Sequence, residues 1–525
     1  MTNFRTLACG QIFTCGLAAL GLLAVAPAVA QPRDVLRIQL NADIRSTDPG
    51  INRDANSDAV VMNVLEGLVA FREDATVGPM LAESVETSAD GRSYTFKLRK
   101  GITFHDGTPL TAADVLFDWQ RYMAPQNNWR CLPEFDGSGR MKVTGVEAPD
   151  PFTVRFTLAE PSALFLTTLA RVDCGGTGIY ARSSVGADGK WIKPVGTGPF
   201  KFGAWVPGQY IDLSRNDAYA ALPGKPDGYA GNKTPKVAGV RFMIIPDPSA
   251  AKAALLSGGI DVIPDIAVSD MAELRANADV KVQSKPTMEL NAILFQTKDP
   301  LLSDPRIRQA LALSLDVPQL VQAVTEGEGK PNRSLIPVSS AYYGEPEAKM
   351  PERDLDAARK LLAEAGYKGQ PIRMLTSKHY QYLYDMAVLV QAMAEEADIK
   401  IELEVLDWAT PLDHYTKGDY EAAAFSYSAR LDPSLSFDMV SGDKAKAPRK
   451  VWDNPAALAL LKQSTQIADK ARRQALIDQM ENMFRTDVPM IAVYNPAAKG
   501  ATRANVEGFE VWSLSQPRGW GVTLK

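Results

Sequence analysis

Short apolar runs, several of them alternating with polar positions, predict strands at residues 35–40, 93–98, 153–158, 210–214, 240–245, 291–297, 401–406 and 421–427. Helical spacing appears between several of these runs. Asp304-Pro305 opens one helix, with Asp to cap free amides and Pro in the first turn, and Ile307, Ala310, Leu311 and Leu315 share its face. A second begins near Asp354, carries Ala357, Ala358, Leu361, Leu362 and Ala365 inward, and stops at Gly366. A third starts at Thr111 with Asp114 as its capping-box partner and runs through Val115, Trp119 and Tyr122.

The mixture is α/β. Strands and helices alternate most clearly after about residue 290, whereas 76–194 holds more strand and loop. With 525 residues the chain has room for two to four domains at roughly 150 residues each. Its 46% hydrophobic content suits a globular protein and excludes a disordered tail, a collagen or a many-spanning membrane protein. A net charge of -5 supplies no basic field for nucleic acid phosphates, so nucleic acid is not an expected partner.

Residues 1–30 differ from the rest. One charge, Arg5, precedes an uncharged apolar run from about 12 to 26, then Pro27 and Ala28-Val29-Ala30. This is the pattern of a signal peptide cleaved before Gln31. Cys9 and Cys15 lie before or within the apolar run rather than at the cleavage point, so the expected product is a soluble exported protein and not a lipoprotein. Only Cys131 and Cys174 remain after cleavage, and an oxidising compartment makes them a candidate disulfide; the alternative is two separately buried thiols.

Motifs for catalysis are missing. There is no G-x-S-x-G, H-E-x-x-H, C-x-x-C or Walker loop. Ser441-Gly442-Asp443-Lys444 matches S-x-x-K, a pattern short enough to arise by chance. The three histidines, His105, His379 and His414, have no ligand-like spacing, so neither a metal site nor a cofactor is expected. A secreted hydrolase whose carboxylates are hidden from inspection is the alternative from another class.

The segment 98–115, LRKGITFHDGTPLTAADV, resembles the signature of the bacterial extracellular solute-binding proteins of family 5, the peptide, nickel and opine receptors of ABC importers. Further matches follow in the family's order: Asp48-Pro49, Leu65-Glu66-Gly67-Leu68, Gly196-Thr197-Gly198-Pro199-Phe200, the run from Leu255 to Asp261, the run from Ser303 to Leu311, and Asp432-Pro433. The resemblance implies a periplasmic clamshell of two α/β lobes with an additional inserted domain. One lobe would combine 31–75, 195–287 and 497–525, the inserted domain would be 76–194, and 288–496 would form the second lobe. Crossings near 288 and 496 would be the hinge. A small organic or peptide-like ligand closes the cleft by binding both lobes, and an inner-membrane ABC permease then receives it from a monomeric, non-enzymatic protein. A sensory role for the same clamshell is not separable from transport by sequence.

One departure bears on the ligand. Peptide receptors of the family pair an Asp in a D-x-x-[DE]-P segment with the ligand's ammonium, and here that position is Ala429. Arg430 beside it is either a clamp for a ligand carboxylate or phosphate, which would favour an opine-like cargo, or a partner of Asp432 or another acid. Trp408 and Tyr427 follow or end strands and are candidate cleft aromatics, with core filling as the other reading; Asn41 and Asn291 are polar candidates from opposite lobes.

Overall fold

The structure is a computed structural model describing residues 34–51, 54–514 and 516–525. The expected signal segment, residues 1–30, lies outside the described residues. Three large sheets organise the chain. The first has seven strands in the spatial order Val280–Pro286, Ala497–Arg503, Val262–Ile263, Val35–Leu40, Gly239–Ile244, Tyr210–Arg215 and Phe200–Val206. The second has six: Lys330–Pro331, Met490–Asn495, Leu290–Phe295, Ala422–Tyr427, Ile372–Thr376 and Ile401–Val405. The third is an antiparallel set of four, Ala82–Thr87, Ser93–Leu98, Thr153–Leu158 and Val143–Asp150.

Local rules explain the elements. Leu36, Ile38 and Leu40 are buried while Arg37, on the opposite side, is held by Asp261 and the carbonyls of Gly258 and Gly259. That strand runs parallel to Gly239–Ile244 and to Val262–Ile263. Asp304 caps the helix Pro305–Ser314 by accepting from Arg306 N, and Asp354 caps Leu355–Ala365 by accepting from Ala357 N. Gly366 closes the latter at φ 73°, a conformation that costs glycine little. Asp114 accepts from Thr111 N at the start of Ala112–Met123. Leu315 lies one residue past its helix, in an extended conformation, yet remains buried.

The first and third sheets share one apolar core, in which Leu36, Ile38 and Phe242 belong to the same cluster as Phe96, Trp119 and Phe156. The second sheet is covered on both faces: Ile293 and Phe295 pack on one side, Ala292 and Leu294 on the other. Cys131 and Cys174, 43 positions apart, are joined as a disulfide with Cα atoms 5.6 Å apart, beside the Trp129 ring whose Nε1 donates to Cys174 O.

The chain passes between the first and second sheets twice, at 287–289 and at Pro496. These crossings are tied together. Thr287 N and Oγ1 both donate to Pro496 O, at 2.7 and 2.9 Å, and Asn495 Nδ2 donates to Glu289 O at 2.6 Å. No other stretch of the described chain passes directly between these two sheets.

Candidate functional site

The strands Ile372–Thr376, Ile401–Val405 and Ala422–Tyr427 are parallel, so their carboxyl ends share one edge of the second sheet, where Leu290–Phe295 also begins. The first sheet presents the corresponding ends of Val35–Leu40, Gly239–Ile244 and Val262–Ile263. Carboxyl ends of parallel strands are where open α/β sheets bind ligands, since loops diverge there and leave a crevice. At the crossings the two edges enclose a recess of about 360 Å³. Pro264, Asp265 and Lys499 line it from the first sheet; Glu289, Asn291 and Tyr382 line it from the second, together with Ser426 and Tyr494.

The recess carries more negative than positive charge. Glu328 is paired with Arg275 at 2.7 Å, leaving Asp265 and Glu289 against Lys499. Enclosure by protein pushes the Glu289 carboxyl up, opposed by Lys499 and reinforced by Asp265; Asp265 is raised by the same enclosure and likewise opposed by Lys499. Both carboxylates still face solvent in the recess. Asn291 is only 1% exposed and shares a hydrogen bond with Tyr494, yet its Oδ1 has no partner among the described residues. An orphaned buried carbonyl oxygen costs about 1–3 kcal/mol, which a donor on a bound molecule would offset.

Of the residues expected from sequence, only Asn291 reaches this recess. Tyr427 does not line it: it is 5% exposed and packs on Phe425 and Tyr415 in the core. Side chains alternate along a strand, so its neighbour Ser426 takes the recess-facing place. Trp408 is half-buried against Tyr380 and Phe425. Asn41 is exposed and accepts from Asn56 Nδ2. Arg430 curls back on its own loop, its Nη1 donating to Ser428 O, Ser428 Oγ and Ala429 O. Asp432 caps the helix Pro433–Val440 and is held by Arg473 in a buried ion pair. Sequence reasoning missed Asp265, Glu289 and Lys499; proximity to a strand end was the one available signal.

The S-x-x-K match has no catalytic geometry, because Lys444 Nζ donates to Thr297 Oγ1 and not to Ser441. Among the described residues no cluster of His, Cys, Asp and Glu could hold a metal ion, and no helix is long and apolar enough to cross a membrane.

The quoted sequence motifs converge on a clasp in the first sheet's core. Glu66 accepts from Thr197 Oγ1 and Tyr219 OH and pairs with Lys233 at 2.7 Å. His105 Nδ1 accepts from Gly196 N, so Nε2 carries the proton and donates to Gly198 O. Burial favours this neutral ring by holding the imidazole below its usual range. A side chain at Gly196 would meet Val64 O at 2.1 Å, so the close backbone approach requires glycine.

The family model described as bacterial extracellular solute-binding proteins, family 5 middle, matches residues 76–447. The chain belongs to this family. It is 27% identical to the oligopeptide-binding protein AppA of Bacillus subtilis, covering 87% of this chain and 85% of that one. With the probable D,D-dipeptide-binding periplasmic protein DdpA of Escherichia coli it shares 26% identity, over 91% and 92% of the two chains. The solved structure of HbpA2 from Haemophilus parasuis superposes with a TM-score of 0.81 at 26% identity, covering 94% of this chain and 100% of that one. This family-5 chain therefore has the family's clamshell fold, two α/β lobes with an additional domain, and its relatives are binding proteins of the periplasm or cell exterior rather than enzymes.

Proposed function

We propose that the mature protein captures a peptide or peptide-like solute bearing an ammonium group in the hinge recess and delivers it to the permease of an ABC importer. In this reading the lobes are 31–75 with 195–287 and 497–525, and 288–496, with 76–194 inserted; the chain is exported by cleavage of 1–30 and acts as a soluble monomer without a chemical step. Contacts made with both lobes exist only when the cleft is shut, so ligand shifts the open and closed populations by its differential affinity.

The observation that carries the proposal is that Asp265 and Glu289, one from beside each sheet, line the same recess with a single lysine, Lys499, acting on both. With Ala429 in place of the family's ammonium-binding Asp, a buried amine would cost several kcal/mol unless another carboxylate met it. The recess offers two. An ammonium between them would relieve their mutual repulsion and draw the lobes together.

The test is mass spectrometry of small molecules released from protein purified out of its own export compartment, with the released solute then titrated against Glu289→Gln. An amine-bearing solute whose affinity falls about tenfold or more in that variant supports the reading. A solute without an amine, bound equally by Glu289→Gln, sinks it.

A further inference from the structure

A second pocket, of about 260 Å³, opens within the body built on the six-stranded sheet and shares no lining residue with the hinge recess. Leu313, Leu361, Phe484, Met490 and Ala492 give it apolar walls, from the helices Pro305–Ser314, Leu355–Ala365 and Lys470–Asp487 and the strand Met490–Asn495. Two guanidinium groups, of Arg333 and Arg485, face the same space.

The two arginines are in different states. Arg485 is ion-paired: its Nε lies 2.8 Å from Glu481 Oε1, and its Nη1 and Nη2 donate to Lys349 O and Glu347 O. Glu481 is also engaged, accepting from Ser334 Oγ at 2.8 Å. Arg333 makes one long hydrogen bond, from Nη1 to Ala312 O at 3.3 Å, and among the described residues no carboxylate stands within ion-pair distance of it. Burial, and secondarily the charge of Arg485, push its guanidinium down to about 10. A guanidinium carries five donors in a planar fork that suits a carboxylate. Among the described residues nothing of opposite charge meets that fork.

We propose that this lobe holds a second binding site, independent of the hinge recess, for a small monocarboxylate with an apolar body. Its carboxylate sits on Arg333 and its body lies against Leu313, Leu361, Phe484 and Met490. The volume limits that body to a short acyl chain or a single ring. Specificity follows from the chemistry: the apolar walls supply affinity for any hydrocarbon of this size, and Arg333 selects the acids among them.

Octanoate and its neutral counterpart 1-octanol are suitable probes, titrated calorimetrically into the full mature chain and into Arg333→Leu. Octanoate is expected to bind one site saturably, about tenfold or more tighter than 1-octanol, and to lose that advantage in Arg333→Leu while 1-octanol binding is kept. Absence of saturable binding, equal affinity for acid and alcohol, or octanoate affinity unchanged in Arg333→Leu would each overturn the proposal. Should Arg333→Leu not fold, the comparison of acid with alcohol on the unaltered protein decides alone.

Discussion

Replacing Glu66 by Gln removes the negative half of an ion pair whose side chains are 1% and 2% exposed. Lys233 Nζ then remains in the core, 5.2 Å from the Trp520 ring centre, with no carboxylate beside it. Burial by itself would push the Glu66 carboxyl up; the charge of Lys233 and hydrogen bonds from Lys233, Tyr219 and Thr197 outweigh it and hold the group below its ordinary 4.5. Breaking such a pair from one side costs about 3–5 kcal/mol, because the surviving charge stays desolvated. That is a large share of the roughly 5–15 kcal/mol that holds a domain together. Lys233→Met should cost a similar amount by stranding the carboxylate. Glu66→Gln with Lys233→Met strands neither, so its cost should fall short of the sum by about 2 kcal/mol or more. The assay is urea unfolding followed by tryptophan fluorescence, run as a double-mutant cycle. The sign of the pH effect follows from the depressed value: the stabilisation is complete above pH 4.5 and is lost as pH falls through the folded-state value, so wild type and Glu66→Gln should converge in acid. Single variants within about 1 kcal/mol of wild type, with an additive double variant, would refute the argument that this pair organises the clasp.

Three other outcomes are expected. Replacing Cys131 and Cys174 by Ser should lower stability by about 2–4 kcal/mol through the loop of 43 positions, and denatured, unreduced wild type should show no titratable thiol at these positions; two free thiols would contradict the bridge. Lys444, 5% exposed, is pushed down to about 8 from 10.5 by burial, so its charged form is penalised in the folded protein. Lys444→Met should therefore stabilise by up to roughly 3 kcal/mol at pH 7, a gain fading as pH rises from 8 to 10.5, and a destabilised Lys444→Met at pH 7 would count against it. Gly196→Ala places a methyl 2.1 Å from Val64 O and 2.7 Å from Leu65 Cδ2, and a melting temperature within a degree or so of wild type would contradict the expected overpacking cost of about 1–3 kcal/mol.

Every strand run read from the sequence corresponds to a strand in the structure, with edges displaced by no more than two residues. All three helix starts coincide with their capping residues Thr111, Asp304 and Asp354. These features are local: a period of two, a carboxylate within reach of a free amide, a glycine at positive φ. The helix Lys470–Asp487 was not legible, although it is eighteen residues long. Its buried face includes Arg473 and Glu481, which interrupt the apolar spacing. Their partners, Asp432 and Ser334, lie 41 and 147 positions away, and only the folded chain brings them near.

The candidate recess divides the same way. Sequence pattern put residues at strand ends, and Asn291 was placed among them; a single step along one strand separated core Tyr427 from recess-facing Ser426. Asp265, Glu289 and Lys499 read in sequence as ordinary surface charges. Spacing determines which face of an element is apolar, because neighbouring positions are fixed by backbone geometry. Which charges confront one another across the recess depends on where two distant crossings meet, and that is decided only when the sheets have packed.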